Sequence, residues 1–363
     1  MTASAIRAHL RKDGYVASAV RVGVHAYQLT YVTVDPRGLA TSASGLVLLP
    51  DGVASPLAPV EFLHGTLSGA DEAPSVDDGG RSDEALLFAS AGYAAIAPDG
   101  LGLGRGVGPH PYLQLSTETS SGVDLLRAAH AFVKRQRRSL ADDVLVAGFS
   151  QGGQGALGVA KYLAAGSAAP LRLRAVAGVS GAYALGAAEL PAVLHGALDD
   201  RDAAFYLAYL LTSWNAQYGL YESPAEVFRP PYDRTVPGLF DGRHDERQIF
   251  PHLPATPARL LTAAALARLA HPTGALAAAL RANDVACSGW QHPAPVHLYA
   301  ASGDEQVSAR NTRVCRADLV AGGLRPVVVD LGRLQHFPSE RAGLARALAW
   351  FRTAYPPSGR PTA

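Results

Sequence analysis

The chain of 363 residues has only two cysteines, almost no lysine and no long apolar run, and each shortage removes a class of answer. Cys287 and Cys315 are too few and too far apart for a disulfide framework or a cysteine-ligated zinc site. They could form one bridge or stay apart as two buried thiols, and thiols are the expectation. No apolar stretch reaches the roughly 18 residues of a spanning helix, so no integral membrane association is expected. The N-terminal stretch from Met1 to Gly14 carries Arg7, Arg11, Lys12 and Asp13 and lacks an uninterrupted apolar core, unlike a secretory signal. A cytoplasmic location is therefore expected, unless a leader was trimmed.

Charge of one sign is lacking as well. Lys and Arg number 32 against 31 Asp and Glu, with no long run of either, so nucleic acid and anionic membranes are not expected partners. Only Lys12, Lys134 and Lys161 are lysines, a skew that points to codon usage more than to chemistry. There is no H-E-x-x-H, cysteine quartet or calcium loop, so no metal is expected. The string Gly100-Leu101-Gly102-Leu103-Gly104 lacks G-x-G-x-x-G spacing ahead of a helix, so no nucleotide cofactor is expected either.

What is present centres on residues 144–156. A Val-rich run reads as a buried strand, Gly148-Phe149-Ser150-Gln151-Gly152 as a tight turn, and 156–163 as helix. That is the pattern of a nucleophile elbow, which leaves one serine hydroxyl at the tip of a strand-to-helix turn.

Around it the chain alternates. An antiparallel hairpin is predicted over 27–34 and 44–49, then strands over 58–63, 93–97 and 173–179, with helices over 83–91 and 119–135 between them. The repetition predicts an α/β fold: a mostly parallel central sheet with helices on both faces. From about 187 to 291 the strand pattern stops and helical stretches such as 202–211 and 259–269 take over. Because the sheet pattern resumes afterwards, residues 186–292 read as an inserted helical cap between core parts 15–185 and 293–355. Phe205, Tyr206, Tyr209, Trp214, Tyr218 and Tyr221 cluster early in it, most as core and two or three as walls of an apolar channel. Strands at 296–300 and 326–331 follow, with helices at 309–321 and from about 340 to 354.

A serine hydroxyl is a weak nucleophile unless a neighbouring base, itself oriented, takes its proton. In an elbow architecture the chain order is serine, acid, histidine. Ser150, Asp304 and His336 follow that order, with acid and histidine each just beyond a predicted strand. Glu305 and Asp330 are alternative acids. The oxyanion donors expected are the backbone N–H groups of Thr66 and Gln151. His64 reads as a loop organiser, and Asp99 as the residue that fixes the glycine-rich loop.

These residues resemble the secretory lipase branch of the α/β-hydrolase superfamily, including its bacterial relatives. The resemblance spans about 25–350 and rests on His64-Gly65-Thr66, Pro98-Asp99 with Leu101-Gly102-Leu103-Gly104, His110-Pro111-Tyr112, the elbow, Asn283 with Trp290, Asp304 and His336. Phe149 stands where that branch frequently has histidine, and Gly100 where an aromatic is usual. The resemblance implies hydrolysis of a small or lipid-like carboxylic ester through an acyl-enzyme under a helical lid. Acyl transfer or lactone formation by the same triad, and a non-catalytic binding module, are the alternative readings.

Overall fold

Between Val24 and Pro50 the chain folds back on itself as β1 (Val24–Val34) and β2 (Ala40–Pro50), paired antiparallel along their full length. In the computed structural model, which describes residues 1–76 and 82–357, this hairpin forms one edge of an eight-stranded sheet. The other strands are β3 (Pro59–Leu63), β4 (Ala94–Pro98), β5 (Asp143–Phe149), β6 (Arg172–Val179), β7 (Val296–Ala300) and β8 (Val327–Asp330). Their order across the sheet is β1-β2-β4-β3-β5-β6-β7-β8, and every pairing beyond β2–β4 is parallel.

Burial follows from that order. β3 and β4 are buried at every position, because helices cover both faces of a parallel sheet. β1 alternates between buried and exposed residues, as an edge strand covered on one face does. Helices α3 (Leu115–Arg135) and α4 (Gln151–Ala164) pack on one face, where Leu126, Val146 and Leu157 share a cluster. On the opposite face α1 (Ala3–Lys12), α2 (Asp83–Ser90) and a C-terminal helix join Phe62, Phe88 and Phe351.

The segment between β6 and β7 carries no strand among the described residues and holds α5 (Asp200–Tyr218), α6 (Ala263–Ala270) and α7 (Gly274–Asn283). These helices enclose an apolar cluster of their own, including Phe205, Trp214, Phe228 and Leu260. The helix expected over 259–269 is broken. Leu261 pairs with Phe228 in an isolated bridge, and the Thr262 hydroxyl accepts from Ala265 N–H to start α6 afresh.

Two further expectations are corrected. Cys287 and Cys315 are bonded to one another rather than held apart as thiols, joining the loop after α7 to α8 (Arg310–Ala321). The last helix, α9 (His336–Ala354), begins four residues earlier than the sequence suggests. Pro338 is compatible with that start, since N–H groups in a helix's first turn have no intrahelical partner.

Candidate active site

Ser150 sits between β5 and α4 at φ 55° and ψ −122°, a backbone conformation that side chains other than glycine rarely adopt. The turn is tight because two backbones nearly touch. A Cβ on Gly148 would run into the Gly152 carbonyl, and one on Gly152 into the carbonyls of Leu63 and His64. The amide of Ser150 donates to Val179 O at 3.0 Å, which ties the elbow to β6.

His336, the first residue of α9, is 1% exposed. Its Nε2 lies 3.0 Å from Ser150 Oγ, and its Nδ1 lies 2.9 and 3.0 Å from the two Asp304 oxygens. A carboxylate can only accept, so Nδ1 carries the proton and Nε2 is left to accept from the serine hydroxyl. Asp304 is held in turn: its Oδ1 accepts the N–H groups of Gln306 at 3.0 Å and Val307 at 2.9 Å. The Phe149 ring lies 4.5 Å from the imidazole, centroid to centroid, and shields one face of it.

Four elements bring these groups to one edge. Thr66 follows β3, Ser150 follows β5, Asp304 follows β7 and His336 follows β8, all beyond the carboxyl ends of parallel strands. The alternative acids hold backbone groups instead: Glu305 Oε2 accepts the backbone N–H of His336 at 3.1 Å, and Asp330 accepts Gly332 N–H at 2.7 Å. His64 places its ring nitrogens against Gly65 O and Asp99 O, and buried Asp99 accepts from Ser75 N–H and from the hydroxyls of Ser44 and Ser75. Thr66 and Gln151 both border Ser150, and among the described residues neither backbone N–H has a hydrogen-bond acceptor.

Two cavities meet at the serine. The larger, about 290 Å³, is open and mixed in character, with His336, Phe337, Glu84 and Glu340 in its walls. The smaller, about 50 Å³, is apolar and runs under the inserted helices past Leu185, Leu190, Val193, Leu207 and Leu210. Thr66, Tyr206 and Gln306 border both, and the Tyr206 hydroxyl donates to Gln306 Oε1 at 2.6 Å. Among the described residues the one acid on the apolar cavity is Glu189, whose carboxyl burial pushes up to about 8 while Asn311 Nδ2 and Ser308 N–H donate to it.

Sequence reasoning missed the supports behind the imidazole. Ser339 Oγ donates to His336 O at 2.6 Å, and Ser180 Oγ lies 2.7 Å from Ser339 Oγ. Ser180 itself is strained, at φ 43°. The available signal was Ser180-Gly181 at the end of a predicted strand, in the same position as the elbow serine. Among the described residues only His9, Asp13 and Asp83 have metal-ligand spacing, and His9 Nε2 lies 2.6 Å from Asp83 Oδ1.

No protein-family model matches the chain, and no curated protein matches it in sequence. Solved structures do match. A candidate hydrolase from Legionella pneumophila superposes with a TM-score of 0.88 at 25% identity, over 97% of this chain and 95% of that one. The chain has the α/β-hydrolase fold. The hydrolase fold here is also similar to that of the rice cell wall degrading esterase LipA from Xanthomonas oryzae, with a TM-score of 0.85 at 23% identity over 97% and 95% of the two chains. Candida antarctica lipase A matches less closely, with a TM-score of 0.66 at 18% identity over 86% of this chain and 73% of its own. No helix among the described residues of this hydrolase fold is long and apolar enough to cross a membrane.

Proposed function

We propose that the protein is a carboxylic ester hydrolase that acts through an acyl-enzyme on Ser150. The observation that carries the reading is the Ser150 hydroxyl 3.0 Å from His336 Nε2, with the far ring nitrogen gripped by Asp304. Solved neighbours described as esterases and a lipase support the same class of chemistry.

In this reading Ser150 Oγ attacks the ester carbonyl carbon as its proton passes to His336 Nε2. The carbonyl oxygen takes up the electron pair and faces the N–H groups of Thr66 and Gln151, which have no other acceptor among the described residues. Collapse of that adduct breaks the bond to the alcohol, which leaves with the proton from His336. A water molecule then gives a proton to the same imidazole as it attacks the acyl carbon, and collapse of the second adduct breaks the bond to Ser150 Oγ, which takes the proton back from His336 as the acid leaves. Asp304 stays ionised throughout and stabilises the imidazolium.

The apolar cavity suits an aliphatic acyl group, and the open cavity suits the alcohol and the incoming water. The Cys287–Cys315 bridge favours an oxidising compartment over the cytoplasm that the sequence suggested. The test is Ser150→Ala with a nitrophenyl ester, alongside labelling by a fluorophosphonate. Turnover should fall to near background and the adduct on residue 150 should vanish. Full turnover by the variant would end the reading.

A further inference from the structure

The Gln151 side chain is only 4% exposed. Its Nε2 donates to Glu118 Oε1 at 2.8 Å and lies 3.2 Å from His110 Nε2. His110 Nδ1 sits 2.8 Å from Leu101 O, so the ring proton belongs there and Nε2 is free to accept. Burial pushes the His110 pKa down to about 4, which keeps the ring neutral and an acceptor at pH 7. Both amide hydrogens of Gln151 are thereby used, one by α3 and one by the loop before it.

The close approach of Glu118 is prepared by α4 itself. A Cβ on Gly155 would stand 2.7 Å from Glu118 Oε2, so a larger residue there would displace the carboxylate. Glu118 Oε2 and Gln151 Oε1 have no hydrogen-bond partner among the described residues. Glu118, Gln151 and His110 line a cavity of about 30 Å³.

Gln151 is the first residue of α4, and its N–H lies in the peptide plane that ends at its own Cα, so the anchoring of that Cα helps to aim the N–H. We infer that Glu118 and His110 are positioning residues for the oxyanion donor at Gln151, acting through the Gln151 side chain. This rests on the ester-hydrolase reading above. A donor that turns away from the developing charge forfeits part of the roughly 10²–10³-fold that one oxyanion contact contributes.

The experiment compares Glu118→Leu, Gln151→Leu, the double variant, Glu118→Gln and Ser150→Ala on one nitrophenyl ester, with thermal unfolding to establish that each is folded. Glu118→Leu and Gln151→Leu should each lower kcat about 10- to 100-fold with KM within about twofold. The double variant should be no slower than the slower single, since both break one linkage. Glu118→Gln keeps an acceptor for Gln151 and should recover most of the rate. Should Glu118→Leu not fold, the pair Gln151→Leu and Glu118→Gln still decides: loss in the first with recovery in the second supports the inference. Losses that multiply in the double variant, or wild-type kcat in Gln151→Leu while Ser150→Ala is inactive, overturn it and leave the hydrolase reading standing. Turnover by Ser150→Ala overturns both.

Discussion

Glu305 accepts the backbone N–H of His336 at 3.1 Å, one residue along from the carboxylate that holds the ring. Two consecutive acids therefore grip one histidine, at main chain and side chain. Asp304→Asn would donate toward Nδ1, where a donor already points, and would favour the wrong tautomer. A fall in kcat of about 10³- to 10⁴-fold is expected. Glu305→Gln retains a carbonyl to accept the N–H, so its loss should stay within about tenfold. Steady-state kinetics on a nitrophenyl ester separates the two roles, and equal losses would contradict the division.

Val193 lines the apolar cavity beneath the inserted helices and is half-buried, so a larger side chain fits there with less strain than at the fully enclosed leucines. Val193→Phe should shorten the acyl chain the enzyme prefers. Each methylene turned out of the cavity costs about 0.8 kcal/mol, or about fourfold in kcat/KM. A series of nitrophenyl esters from acetate upward reads the shift directly.

Glu61 lies on β3 with no exposure, and neither carboxyl oxygen has a hydrogen-bond partner among the described residues. Burial pushes its pKa from 4.5 to about 8. The folded chain thus keeps a proton that the unfolded chain releases above about pH 4.5. Unfolding free energy must therefore fall as pH rises from about 5 toward 8, and the decline ends once the folded carboxyl ionises too. Glu61→Gln removes that proton exchange. Urea unfolding at pH 5 and pH 8 should show the wild type losing on the order of 3 kcal/mol more than the variant across the interval.

The bond between Cys287 and Cys315 closes a loop with a sequence separation of 28, and both residues are at most 2% exposed. Replacing both with alanine should lower stability by about 3–4 kcal/mol, the loop-closure entropy of such a span. Urea midpoints of oxidised wild type and the double variant provide the comparison. Identical midpoints would show that the loop is ordered without its bond.

Much of the scaffold was legible because its causes are local. Val-rich runs, glycines at the elbow and acids or histidine just after strands are readable within a few residues of chain. The order Ser150, Asp304, His336 needed only the position of each in that alternation. What escaped was set by partners distant in sequence. The start of α9 at His336 depends on Glu305 and Ser339 as much as on the residues after it. The break at Leu261 needs Phe228. Cys287 and Cys315 gave no pairing signal, because only the packing of the inserted segment brings their Cα atoms to 5.1 Å. Glu118, Gln151 and His110 look like ordinary helix, elbow and loop residues until the fold buries all three together.

Tyr206 stands at the junction of the two cavities, anchored by its hydroxyl to Gln306. One ring on an inserted helix thus acts as a partition, with different walls on either side of it. For the proposed ester hydrolase, selectivity toward the acid half and the alcohol half of a substrate can then drift separately, as residues on one side change without disturbing the other. A single substitution at the partition itself would merge the two choices into one.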